Sequence, residues 1–574
     1  MLFFAQAVQE VAANTANASG SFKLSFVDTG VILVYLLAMA AMGIYFSKKN
    51  TGTEEYFVGG RSFGGWIIGL SLVGTSISSI TFLSFPADAY KTAWLRYIPS
   101  LTLPIAIVIA ILFFLPFFRR ANITSAYEYL EDRFGPSIRS YGAFAFIVGQ
   151  LFRVSIILYL VSLLINEMTG LAPWVCILIG GIFVAFYTIV GGIDAVIWTD
   201  VIQTLVLVAG GLICIGVIFW NVDGGMAEVF STAWNDGKFA MADLEKVDVN
   251  GVTKEVMVQK DWGFSLTDKT VFMLLLTGLF AWLSEYATNQ NIVQRYCASK
   301  NEKEARKAMI VCVASSLPIW AFFMFIGTAL YVFFKHNGDP YAAAILTGEG
   351  GLKAENILPY FIMEYLPVGI SGIVIAAAAA AAMSSLDSSI NAISTVVVTD
   401  FYKRYFVKNR EDKHYLKAAW IIATIAGLFM IFGAIILASV ESKTLQDTAA
   451  IIASLLAAGL FGLFAIGFFT RAGDARAIWI GILFTVIFTG WTIVAKNPPE
   501  NLDEQNKFIQ MIYAVPFDLY YTGMLGNIIM FILGFIVGSV LGTKKDLTNL
   551  TVWDLERGAD QEAVAVTASE KVNN

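Results

Sequence analysis

Residues 376–394 read AAAAAAAMSSLDSSINAIS, seven alanines running into hydroxyls with one carboxylate among them. At helical spacing Ser384, Asp387, Ser388 and Asn391 share a face, at i, i+3, i+4 and i+7. Ser385 lies about 100° round from Ser384. Hydroxyl, carboxylate and carbonyl oxygens are the ligands that hard cations such as Na+ prefer. Small residues and serines also serve plain helix packing, but packing does not call for a carboxylate. A cation site is the stronger reading of this segment.

Three more ionisable residues sit in apolar surroundings: Arg153 in GQLFRVSIILYL, Asp200 at the end of GGIDAVIWTD, and Glu285 in LFAWLSEYATNQ. Ionisable groups at membrane depth usually face a cavity or a partner. The arginine fork suits a carboxylate, either on a substrate or on the protein, where Asp200 and Glu285 are the candidates. Ser284, Glu285, Thr288, Asn289 and Gln290 make one stretch polar in its second half, which reads as cavity lining. GLSLVGTSISSITFLSFP gathers Gly74, Thr75, Ser76, Ser78, Ser79 and Thr81 in mid-stretch. Such residues weaken a helix, and short hydroxyls compete for its backbone bonds. The alternatives are a helix with a hydroxyl face, or a local break that turns carbonyls toward a cavity, as in transporters.

Other chemistries lack support. The two histidines, His336 and His414, are far apart, and Cys176, Cys214, Cys297 and Cys312 show no CxxC spacing. Zinc, haem and disulfide frameworks are not indicated, and the cysteines read as small apolar filler. No nucleophile–base pair points to an enzyme.

The elements that position these residues follow from composition. Of 574 residues, 57% are hydrophobic and 14% charged, against about 25% charged in soluble proteins. With many separate apolar runs near 20 residues, this is a polytopic helical membrane protein. The net charge of -6 is small for the length and suggests no nucleic-acid partner. Thirteen spans are predicted, near 26–46, 64–85, 98–118, 141–165, 171–190, 195–220, 270–295, 308–334, 367–401, 416–438, 446–470, 476–495 and 519–541. Lys48, Lys49 and Arg61 follow span 1, and Arg119, Arg120, Arg133 and Arg139 follow span 3. Lys300, Lys303, Arg306 and Lys307 follow span 7, and six Lys and Arg between Lys403 and Lys417 follow span 9. Arg471 and Arg476 follow span 11; Lys544 and Lys545 follow span 13. Every basic cluster follows an odd-numbered span, which places the N-terminus outside and the C-terminus inside. The first 23 residues have no basic n-region, so no cleaved signal peptide is expected. The outer loops 221–269 and 335–366 are expected to carry short surface helices. The polar tail, 542–574, is expected to be disordered and too short for a soluble catalytic domain.

Several long motifs in order resemble the sodium/solute symporter family: EEYFVGGRS (54–62), SLVGTSISSITFLSFPADAY (71–90), ITSAYEYLEDRFG (123–135), GGIDAVIWTDVIQ (191–203), NQNIVQRY (289–296) and SSLDSSINAISTVVVTDFY (384–402). Bacterial sodium/sialic acid symporters look closest. The resemblance implies an all-α, LeuT-like inverted repeat of five plus five helices. Residues 1–25 would be an outer segment and 26–46 a peripheral helix. The first repeat would span 64–220 and the second 270–470, separated by the loop 221–269, with peripheral helices over 476–541. Spans 2 and 7 would be the broken helices.

By the same resemblance, Na+ is held by carbonyls of Gly74, Ile77 and Ala381 and hydroxyls of Ser384 and Ser385. A second cation set would be Asp200, Ser384, Asp387 and Ser388, with Asp387 standing where the pattern has serine. Ser76, Ser78, Thr81 and Arg153 would bind substrate, Arg153 clamping a carboxylate. Arg96 and Ser100 stand where sialic acid symporters have an aromatic residue and a glutamine. Trp282, Glu285 and Ser316 stand where galactose-type symporters have different residues, which weakens a galactose reading. The function implied is Na+-coupled import of a small organic solute across the cell membrane, with sialic acid or another sugar or carboxylate as substrate. The alternatives are a neutral-sugar symporter and, in another class, an ion channel; polar groups gathered at broken midplane helices favour a carrier over a continuous pore. One or two Na+ ions, the solute and the lipid bilayer are the expected partners, with no obligate protein partner evident.

Overall fold

The computed structural model describes residues 24–120, 123–249, 252–347, 352–439, 459–496, 506–542 and 545–554. Lipid offers no hydrogen-bond partners, so a spanning segment must satisfy its own backbone, and the apolar runs are accordingly helical. Among the described residues ten helices are long and apolar enough to cross a membrane, and one bent pair makes a further crossing. One of the ten, Pro173–Asn221, has 49 residues, far more than the roughly 20 needed for one crossing. It is two arms, predicted spans 5 and 6, joined at Gly192 with φ 59° and ψ -159°. A side chain there would also collide with Tyr56, whose ring lies 2.7 Å from the site of a Cβ. Of predicted span 11, the structure describes Leu460–Phe469; the rest of 446–470 up to residue 458 lies outside the described residues.

Spans 2 and 7 are both broken. Span 2 consists of Gly65–Ser76 and Ser79–Lys91, with a 57° bend across the break. Ile77 at the break is extended, φ -95° and ψ 106°. Span 7 consists of Val271–Thr288 and Gln290–Ala298, separated by Asn289 with φ -82° and ψ 117°. Asn289 ends one helix and starts the next, because its side-chain oxygen caps the amide of Asn291 at 2.9 Å, a common N-cap arrangement. Glu285 holds it in place, accepting from Asn289 Nδ2 at 2.7 Å.

Span 9, Ile370–Phe406, lies at the centre. In its most apolar stretch 83% of residues are buried, against 22% for span 1, Phe26–Ser47. The alanine run makes this possible, since small side chains let spans 1, 4 (Pro136–Thr169), 5 and 6 approach closely. Spans 12 and 13, Ala475–Lys496 and Thr522–Leu541, pack on the periphery.

The motif at 123–135 ties the ends of several spans together. Gln290 of span 7 accepts from the Ala126 amide at 2.8 Å and donates to the Thr124 carbonyl at 2.7 Å. Arg139 donates to Asp400 of span 9 at 2.6 Å and to Glu131 at 2.9 Å, and Arg404 also pairs with Glu131. Arg61 and Arg119 donate to the last carbonyls of span 7, at Tyr296 and Cys297, where cations are favoured by the helix dipole.

The loop 221–269 carries the expected helix, Gly225–Asn235, and an unexpected antiparallel hairpin, Ala242–Val249 with Val252–Gln259. The strands flank Asn250–Gly251, a strong hairpin-turn signal. The loop 335–366 forms Pro340–Thr347 and Ile357–Tyr365. Lys238 is buried, its ammonium donating to the carbonyls of Tyr90 and Thr92, each at 2.7 Å. It thereby caps the end of Ser79–Lys91. Burial pushes its pKa down to about 7.

Candidate functional site

The break in span 2 faces the hydroxyls of span 9. Ser384 Oγ lies 2.9 Å from the Gly74 carbonyl and 3.2 Å from the Ala381 carbonyl, so three of the five expected ligand atoms converge. Ile77 supplies a carbonyl from extended backbone, outside either half-helix. Ser385 Oγ is buried and has no hydrogen-bond partner among the described residues. Buried hydroxyls nearly always have a polar partner, and a cation coordinated by its lone pair would serve. The oxygen set fits Na+, which needs no strongly basic ligand. Gly74 also lets span 2 lie close to span 6: a Cβ there would stand a tight 3.1 Å from the Asp200 carbonyl and 3.0 Å from Thr204 Oγ1.

Beside this point lies a buried polar cluster. Arg295 of span 7 donates from Nη2 to Asp200 at 2.6 Å and to Ser388 Oγ at 2.7 Å. Its Nε donates to Ser71 Oγ at 2.7 Å, and Ser71 in turn donates to Asp200 at 2.6 Å. Both charged side chains are at most 1% exposed. The cation seated among Asp200 and Ser388 in this conformation is thus a guanidinium. Sequence reasoning missed it because Arg295 falls at the last residue of predicted span 7. The available signal was its place in NQNIVQRY, one turn beyond Asn291, whose carbonyl it also contacts. Asp387 turns to spans 5 and 6, accepting from Tyr187 of span 5 at 2.6 Å and more distantly from Thr199 of span 6.

The residues expected to bind substrate divide into groups. Ser76 and Ser78 are half-buried beside the break in span 2, and Thr81 is buried in the next turn. Ser78 is the N-cap of Ser79–Lys91 but makes no capping bond with its side chain. Arg153 is half-buried in span 4, and no hydrogen bond or ion pair engages it among the described residues, so neither Asp200 nor Glu285 is its partner. Gln150, on the same face three residues earlier, accepts from Ser389 Oγ of span 9 at 3.1 Å. Ser389 also donates to the Ser385 carbonyl, so this face of span 4 adjoins the turn of span 9 that carries the expected Na+ ligands.

Three others stand apart. Arg96 is exposed and pairs with Asp88 at 2.8 Å. Glu285 is engaged with Asn289. Ser100 is buried in the turn after Leu95, next to Pro99, whose carbonyl accepts from Trp282 Nε1 at 3.1 Å. Trp282 stacks on Trp320 at 5.2 Å.

Comparison with known proteins identifies the family. The model of the sodium:solute symporter family matches residues 56–483. The chain is 33% identical over 524 residues to the sodium/sialic acid symporter SiaT of Proteus mirabilis (strain HI4320), covering 91% of this chain and 97% of that one. It is 30% identical over 482 residues to the human sodium-coupled monocarboxylate transporter 1, covering 79% and 73%. A solved Na+-coupled sialic acid symporter, in a substrate-bound outward-open state, superposes with a TM-score of 0.77 at 32% identity, covering 91% of this chain and 100% of that one. The two broken helices open the two halves of a LeuT-like core of five plus five helices, and the chain belongs to the sodium:solute symporter family, whose members are multi-pass Na+-coupled carriers rather than enzymes.

Proposed function

We propose that this carrier imports a carboxylate-bearing solute, sialic acid or a near relative, with Na+ bound between spans 2 and 9. The observation that carries the reading is Arg153, an unpaired guanidinium half-buried on the face of span 4 that adjoins the turn of span 9 carrying the expected Na+ ligands. An uncommitted arginine at this depth is costly unless a ligand meets it, and its fork matches a carboxylate in two parallel bonds. The start of Ser79–Lys91 adds to this: a half-helix N-terminus at the break, carrying Ser78 and Thr81, favours an anion. The sialic acid symporter and the monocarboxylate transporter it resembles are both named for solutes that bear a carboxylate.

Na+ is assigned to the carbonyls of Gly74, Ile77 and Ala381 and the hydroxyls of Ser384 and Ser385. At the second set, Asp200, Ser384, Asp387 and Ser388, Arg295 already supplies a positive charge, and a second Na+ there would share or displace it. Outside Na+ closes the gap between the broken span 2 and span 9, which favours the form that binds solute. Because both ligands bind that form better, each raises the other's affinity. Uphill import is driven by the sodium gradient, one charge across 100 mV being worth about 2.3 kcal/mol.

The test is uptake by purified protein in liposomes under an inward sodium gradient, with sialic acid, lactate, glucose, galactose and proline. Accumulation of sialic acid or lactate, lost in Arg153→Ala, is expected. Accumulation of a neutral sugar instead would keep the symporter and remove the carboxylate clamp.

A further inference from the structure

The alanine run has a second face that the ion and solute sites do not use. Ala379, Ala382, Met383 and Leu386 form a stripe along span 9, at i, i+3, i+4 and i+7. This stripe is the floor of a cavity of about 540 Å³ between spans 1, 4, 5 and 9. Its size falls within the roughly 300–1,000 Å³ of small-ligand sites. Among the described residues the walls are aliphatic and aromatic apart from Thr29, Thr169 and Cys176.

Small residues make the recess. Gly180 on span 5 lines it, and a Cβ there would meet only Leu158, at 3.6 Å. Leu33 and Ile179 also line it, yet they are 53% and 54% exposed on the outer faces of spans 1 and 5. The cavity is therefore continuous with the surface that the bilayer covers. An apolar cavity of this kind does not hold water, and left empty its walls lose dispersion contacts. The neighbouring alkyl chains of the bilayer are the group at hand to fill it.

We propose that this cavity holds one acyl chain of a bilayer lipid, and that its occupancy is coupled to the sodium site through span 9. Met383 and Leu386 on the floor bracket Ser384 and Ser385 in sequence. A displacement of span 9 that widens or narrows the cavity therefore moves the ligand hydroxyls. The coupling rests on the sodium assignment above; the lipid site does not.

The test uses the full chain in liposomes containing a phospholipid with a photoreactive diazirine in mid-chain. Met383 and Leu386 are buried, 5% and 1% exposed, so lipid that merely surrounds the protein cannot reach them. Label on these two residues is expected. It should be lost in Ala379→Leu and in Gly180→Leu, which fill the cavity from opposite walls, while label on the exposed Leu483 and Phe484 of span 12 is unchanged. No label on span 9, or label undiminished in both variants, would overturn the site. The half-saturating Na+ concentration for uptake should shift about 5-fold or more in the filled variants, the lower end of allosteric coupling. Loss of label with unaltered sodium dependence would overturn the coupling alone. Normal sodium dependence in Ser385→Ala would instead count against the sodium assignment.

Discussion

Arg295 and Asp200 meet at 2.6 Å inside the membrane core of the protein, with side chains 1% and 0% exposed. They join the second half of span 7 to span 6 and, through Ser71 and Ser388, to spans 2 and 9. Both broken helices are thus pinned to spans 6 and 9. Breaking a buried pair by removing one partner typically costs about 3–5 kcal/mol, because the other charge is left unpaired. Arg295→Met should lower thermal stability in detergent by that order, and Arg295→Met with Asp200→Asn should recover part of it. Equal stability of Arg295→Met and the parent would show that the pair does not hold the core.

Ser385→Ala is expected to behave in the opposite way. Its hydroxyl has no hydrogen-bond partner among the described residues, so its removal breaks no bond and should cost sodium-free stability less than the roughly 1 kcal/mol of a typical hydrogen bond. A ligand to a charged group is worth about 1.5–3 kcal/mol, so the half-saturating Na+ concentration should rise by roughly 10- to 100-fold. Uptake titrated with Na+, alongside melting curves, separates the two effects.

Arg153→Gln keeps polarity but shortens the side chain and removes its charge. As no ion pair is broken, stability should hold, while the KM for a carboxylate solute should rise by roughly 10-fold or more. A neutral sugar should be unaffected. A fall in stability without a change in KM would make Arg153 structural.

Lys238 gives a pH prediction. Its native pKa, about 7 through burial, lies below the ordinary lysine value near 10.4. Between those values the unfolded chain holds a proton that the native protein lacks, so this group's contribution to stability rises with pH across that window and is flat below it. The slope is at most about 1.4 kcal/mol per pH unit. Melting temperature from pH 7 to 10 should rise more in the parent than in Lys238→Met. Identical slopes would mean that Lys238 is not titrating there.

Polarity in the sequence marks spans 2 and 7 as unusual, with a break as one of two readings of GTSISS; the breaks in both spans come from the family resemblance. Polarity also reveals the serines of span 9, since polar groups are conspicuous in apolar surroundings. Arg295 was hidden because it stands at the edge of its hydropathy window, where arginine is read as a loop charge; only the fold turns it inward toward Asp200. Lys238 was hidden in the same manner, as one of five lysines in the loop 221–269. The hairpin had a local signal in Asn250–Gly251 that the expectation of short surface helices did not use. Arg96 and Glu285 looked like site residues by position, yet each finds a partner within its own segment or beyond it, Asp88 and Asn289. Spacing alone does not show where a long side chain ends.

The central claim is that sodium bound by Ser384 and Ser385 is coupled to a carboxylate solute. The most direct measurement is equilibrium binding of radiolabelled sodium to the purified protein, with and without sialic acid, in the parent and in Ser385→Ala. The account predicts that sialic acid tightens sodium binding several-fold in the parent and that Ser385→Ala loses the high-affinity sodium. Sodium binding that is indifferent to sialic acid and to lactate, and unchanged in Ser385→Ala, would contradict it.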